Sequence, residues 1–135
     1  MLLAEAAIKT LMDAHSGLSG LIGTNSFELL LPQSPTYPCV TYFRPSTPAR
    51  ESMMGDDASF ARPTITVEVW STVNSEVKAV VAQVINCLRR YRGIVSSGQG
   101  SITILDIFLQ GESYSFDSTT RLYSGMLNFE VINQE

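Results

Sequence analysis

Between Thr64 and Trp70 apolar and polar residues alternate: Ile65, Val67 and Val69 fall on one side, Thr66 and Glu68 on the other. A period of two is the mark of a half-buried strand. The period then changes. From about Ser75 to Tyr91, Val77, Val80, Val81, Val84, Ile85, Leu88 and Tyr91 recur at helical spacing and form one apolar stripe. Asn74 or Ser75 can cap the start, and Glu76 lies in the first turn, where the helix dipole favours an anion. Arg89, Arg90 and Arg92 crowd the end, and Gly93 can take the left-handed conformation that stops the helix. This strand–helix unit is the backbone of the reading.

The rest of the chain is laid around it. Leu3, Ala7, Ile8, Leu11 and Met12 form the stripe of a first helix over 2–15, followed by one further helical turn through Leu18, Leu21 and Ile22. A strand over 27–31 ends at Pro32, and a second over 39–44 ends at Pro45. The segment 46–61 has no periodicity. A loop of that length inside a compact domain is uncommon, and it reads as an extended arm. After the helix, 94–101 reads as a Gly/Ser-rich link. The segment 102–109, apolar on both faces except at Thr103 and Asp106, reads as a strand buried on both sides. Asp117-Ser118-Thr119-Thr120 is a turn. The last strand, over 121–132, points Leu127, Phe129 and Val131 inward and Asn128 and Glu130 outward. The order α-β-β-(long arm)-β-α-β-β predicts an α+β fold, a mostly antiparallel sheet with two helices packed on one face. The expected organisation is a single domain over 1–135 with the arm at 46–61.

Composition narrows the function. Of 135 residues, 44% are hydrophobic and only 16% charged, so much of the surface is uncharged, as extensive subunit contacts require. The net charge of -4, with a pI of about 4.9, argues against a protein that grips nucleic acid through a basic face. It is compatible with a wall past which DNA slides. No apolar run approaches the roughly 20 residues that span a bilayer, and the start lacks the basic region of a signal peptide. Cys39 and Cys87 are then expected as buried, reduced thiols of a chain made in the cytoplasm.

Candidate chemistry is sparse. His15 is expected as a helix C-terminal residue favoured by the dipole rather than as a base or ligand. Cys39, Cys87 and His15 lack metal-site spacing, and Asp56-Asp57 with Glu51 lacks the alternating oxygens of a calcium loop. Gly17, Gly20 and Gly23 fit no phosphate-binding pattern. The arginines at the helix end read as dipole partners or as ion pairs to an adjacent subunit. Asp106, inside an apolar strand, is the one odd carboxylate. No catalytic, cofactor-binding or metal-binding residues are therefore assigned.

The segments Leu31-Pro32 and Tyr37-Pro38-Cys39-Val40-Thr41-Tyr42 come first, then Thr66-Val67-Glu68-Val69-Trp70 with its amphipathic helix. Tyr114, Asp117, Thr120-Arg121-Leu122-Tyr123 and Leu127-Asn128-Phe129-Glu130-Val131 follow near the end. In this order and spacing the chain resembles the tail completion family of long-tailed, non-contractile bacteriophages, also described as tail terminators or tail-to-head joining proteins. The resemblance implies a non-enzymatic virion protein at the head-proximal end of the tail, assembled in the host cytoplasm. It implies a homo-oligomeric ring, a hexamer, that stops tube polymerisation. Its partners are then the tail tube protein and the head connector or stopper proteins, with double-stranded DNA passing through and no cofactor. The residues placed at interfaces are Arg50, Met53, Met54 and Phe60 of the arm, with Lys78 and Arg90 on the outer helix face. The alternatives are a head-tail connector or stopper, or a small ligand-binding or enzymatic α+β domain. The last requires a pocket with convergent polar groups.

Overall fold

The structure is a computed structural model that describes residues 4–23, 25–30, 32, 33, 35–46, 60–97 and 100–134, of which 46, 60, 61 and 97 by backbone alone. Helices α1 (Ala4–Ala14) and α2 (Ser16–Ile22) come first, then strands β1 (Ser26–Glu28), β2 (Cys39–Ser46), β3 (Phe60–Ala61) and β4 (Thr64–Ser71). Helix α3 (Asn74–Leu88) follows, then β5 (Gly93–Ser97), β6 (Gly100–Asp117) and β7 (Leu122–Gln134). The strands make one sheet in the order β1-β2-β4-β7-β6-β5, and β3 pairs with the end of β7. The fold is α+β with a mostly antiparallel sheet. Among the described residues α1 and α3 pack on the sheet, and the further helical turn expected near Leu18 is the short helix α2, packed against them.

The register explains the core. Ile65 pairs with Phe129 and Val67 with Leu127, so the two alternating strands turn their apolar sides to the same face. All four side chains are fully buried, as are Val77, Val80, Val81, Val84 and Leu88 of α3 and Ile8 and Met12 of α1. Burying each of the larger aliphatic or aromatic side chains is worth about 1.5–3 kcal/mol, which makes this sheet–helix seam the main stabilising element. The closest approach is at Gly125 of β7. A Cβ there would stand 2.9 Å from Val81 and 3.2 Å from Val77, so only glycine lets α3 lie this close to the sheet.

The structure departs from the sequence reading at several elements. The link expected at 94–101 contains β5, paired with β6 from Gly93–Ile104 to Ser97–Gly100. The first two strands are parallel, not an antiparallel pair, because the chain between them returns to its starting end before β2 begins. β6 is not buried on both faces. Its register shifts between Ile104 and Asp106 and again between Leu109 and Gly111. These bulges keep Ile102, Ile104 and Ile107 buried while Leu105 and Phe108 are exposed. Of the expected arm, Ser46 belongs to β2, Phe60 and Ala61 form β3, and the residues between lie outside the described ones.

Helix ends differ too. Neither Asn74 nor Ser75 caps α3. The Val73 N–H donates to Ser71 Oγ at 3.2 Å, and Ser71 Oγ donates to Glu76 Oε2 at 2.5 Å. The stop falls at Leu88, and Arg90, at φ 62°, takes the left-handed position expected of Gly93. His15 is not a helix-terminal partner of the dipole. It caps the start of α2, its Nδ1 accepting the Leu18 N–H at 3.2 Å.

Candidate functional site

Two surfaces stand out once the fold is in place. The first lies where α3 ends against β6. Asp106 follows the first bulge, which turns it to the helix-free side while Ile107 points into the core. Its carboxylate is buried, and the two arginines that follow α3 converge on it. Arg90 reaches Oδ2 at 3.0 Å and Arg92 at 3.2 Å. Oδ1 accepts the N–H of Ile107 at 2.9 Å, and the Arg90 N–H donates to the Ile107 carbonyl at 2.8 Å. The Arg90 guanidinium lies over the Phe108 ring, 5.0 Å from its centroid. The left-handed turn at Arg90 is what brings the chain beside β6. This cluster fastens the end of α3 to the sheet, so the odd carboxylate is a structural anchor.

The second surface is the upper part of the β6–β7 hairpin. Beyond Ile104 on its outer side, β6 pairs with no strand among the described residues. The hairpin runs on to Asp117 and Leu122, and its turn is closed by Asp117. Asp117 Oδ1 accepts the N–H groups of Thr119 and Thr120, and its carbonyl accepts that of Arg121, at φ 57°. Register places Tyr114 opposite Gly125 and Phe116 opposite Tyr123, on the side that carries the helices. Phe116 and Tyr123 stack at 4.6 Å, and Arg121 covers Phe116 at 5.8 Å. Tyr114 and Phe116 remain 48% and 41% exposed, because α3 packs over β4 and β7 rather than over β6.

The cysteines take no part in chemistry. Burial pushes both thiols up to about 11, which keeps them protonated at neutral pH, and Cys87 Sγ donates to the Leu11 carbonyl. Among the described residues no three His, Cys, Asp or Glu side chains gather to hold a metal ion, and no helix is long and apolar enough to cross a membrane.

Of the residues marked from sequence, Phe60, Lys78 and Arg90 fall in β3, in α3 and just after α3. Arg50, Met53 and Met54 lie outside the described residues. Phe60 pairs through its backbone with Gln134 in β3. Lys78 is exposed on the first half of α3, about 15 Å along the helix from the Arg90 end. Arg90, expected to face a neighbour, is engaged within its own chain. Sequence reasoning passed over Tyr114, Phe116 and Tyr123 as a surface. The alternation Tyr114-x-Phe116 before a turn is the signal, since both fall on one side of the strand.

Residues 6–134 match the family described as Tail completion protein gp17. The chain belongs to that family. It is a structural protein of phage tails and not an enzyme. No curated protein sequence matches the chain. A solved structure titled "Virion of native gene transfer agent (GTA) particle" contains a chain with the same fold. The TM-score is 0.76 at 15% identity, over 98% of this chain and 95% of that one. At that identity the likeness is one of fold. Two sequences that differ at most positions thus share this fold, as expected where a buried apolar pattern specifies it.

Proposed function

We propose that this tail completion protein forms a ring, a hexamer, on the head-proximal end of the tail tube, stops tube growth and joins the tail to the head. Double-stranded DNA passes through the ring without being read. The observation that carries this reading is the family match over nearly the whole chain. The net charge of -4 supports it, because an acidic lining repels the phosphate backbone and lets DNA slide. A ring of identical subunits closes through unlike patches on each copy. The chain acts as one domain, with the segment 46–61 as a contact to a neighbour or to the tube.

The test is removal of the gene, followed by electron microscopy of the particles. Tails of uncontrolled length that fail to join heads are expected. Normal-length tails joined to heads refute the reading. Binding of the purified chain to isolated tail tubes, and not to portal-side proteins, separates a terminator from a connector or stopper. Deleting 50–59 should leave the fold intact and reproduce the tail defect, and infectious particles of normal length from that deletion would remove the role given to the segment.

A further inference from the structure

Two exposed apolar edges of the sheet have no partner among the described residues. One is the upper β6–β7 hairpin, with Tyr114 and Phe116. The other follows β1, where Leu29 and Leu30 are 61% and 74% exposed next to Glu28. They occupy opposite ends of the strand order up to β6. Both also present open backbone. β1 pairs only with β2, and β6 above Ile107 is uncovered on its outer side among the described residues.

We propose that successive copies of this chain join edge to edge. The β6–β7 hairpin of one copy receives the β1 end of the next, with Tyr114 and Phe116 against Leu29 and Leu30 and Arg121 against Glu28. This rests on the ring reading above and assigns the surfaces the ring uses.

Three observations commit the partner to a second copy. First, edge strands are ordinarily blunted by lysine, proline or a covering element. Pro45 interrupts the exposed side of β2 past β1, whereas β6 from Leu109 to Asp117 contains neither lysine nor proline. Second, the two apolar patches differ in shape and chemistry, one of flat rings and one of adjacent leucines. A two-fold dimer pairs like with like, while unlike patches suit the head-to-tail contact of a ring. Third, the charges match locally. Arg121 is the one cation at the hairpin tip, and the nearby carboxylates are engaged in their own chain, Asp117 by the turn and Glu112 by the Tyr114 hydroxyl. At the β1 end Asp13 pairs with Lys9 and Glu5 with Arg44, which leaves Glu28 for Arg121.

The test follows self-association of the purified chain by sedimentation velocity, alone and with tail tubes. The wild type is compared with F116S, L30S, E28R, R121E and the double variant E28R/R121E. All these side chains lie outside the core, so circular dichroism should be unchanged. F116S and L30S should each weaken assembly about tenfold, the loss expected for a central apolar contact. Each single charge reversal should weaken it and the double reversal restore it. Assembly undiminished by both F116S and L30S overturns the proposal and leaves the ring standing. Weakening by F116S alone overturns it in favour of two hairpins pairing symmetrically, and failure of the double reversal to recover overturns the Arg121–Glu28 contact. A wild-type chain that stays monomeric alone and on tubes removes the ring itself.

Discussion

Asp106 separates a structural carboxylate from a catalytic one. Its two oxygens do different work: Oδ2 faces Arg90 and Arg92, and Oδ1 accepts the Ile107 N–H. Asp106→Asn keeps an acceptor for that N–H and removes the charge. The arginine side chains are 50% and 62% exposed, so water recovers much of what they lose. The two pairs together then account for about 1–2 kcal/mol, above the surface value because the carboxylate itself is buried. Asp106→Ala also strands the Ile107 N–H at a bulge, which adds about 1–3 kcal/mol. At this chain length 1 kcal/mol moves Tm by about 3–5 °C. Calorimetry should therefore rank wild type, D106N and D106A in that order, with D106A lowest by several degrees. In 1 M salt, where the screening length is about 3 Å, the D106N deficit should shrink while the gap from D106N to D106A persists. Equal stabilities for the two variants would refute the division of roles. A salt-independent D106N deficit would refute the ion-pair account.

Gly125→Ala should destabilise the chain by about 1–3 kcal/mol in urea titrations, because the stiff Val77 and Val81 side chains must move from a Cβ at 2.9–3.2 Å; an unchanged midpoint would mean α3 is not seated on β7 there. Burial raises the Glu68 carboxyl above its ordinary value of 4.5, so the folded chain holds this proton more tightly than the unfolded one. The stability linked to it is complete below the ordinary value and is lost as pH rises through the folded value. Glu68→Gln, neutral at every pH, should be at least as stable as wild type at pH 7, with its advantage gone below about pH 4. An advantage that grows on acidification would reverse the assignment.

The parts of the fold that were legible in the sequence are those where one strong period runs unbroken. Ile65-Val67-Val69 and Leu127-Phe129-Val131 were read on the correct face because nothing interrupts the alternation, and the valine stripe of α3 because 15 residues hold one phase. β5 was missed because Val95 is the only buried residue among Gly93, Ile94, Val95 and Ser96. Ile94 is exposed, and the serines and glycines around them read as a link. In β6 the buried residues Ile102, Ile104 and Ile107 are spaced two and then three apart. Read as a plain strand, that spacing looks apolar on both faces. Read as a strand with one inserted residue, it marks the bulge that exposes Leu105 and turns Asp106 toward the arginines. The stop at Arg90 was illegible for a different reason. The backbone hydrogen bond from Arg90 to Ile107, two elements away, goes with a left-handed residue where the sequence offered Gly93.

The upper hairpin shows where a reading for core residues ends. Above Gly111 the chain is still a regular strand, yet no helix among the described residues covers it. Its helix-facing positions continue as Glu112, Tyr114 and Phe116, opposite Leu127, Gly125 and Tyr123. Leu127 and Gly125 are buried because α3 reaches them; Tyr114 and Phe116 are exposed because it does not. A strand that served only its own core has no reason to hold two large rings past the point where the core stops, since hydration of each exposed ring opposes solubility. The cost is offset only if the rings are covered in the working state. The resident cover, α3, is fixed beside them over β4 and β7 by its Ser71–Glu76 start and its Arg90–Asp106 end. Among the described residues nothing else covers them, and the cover proposed above is a second copy of this tail completion protein.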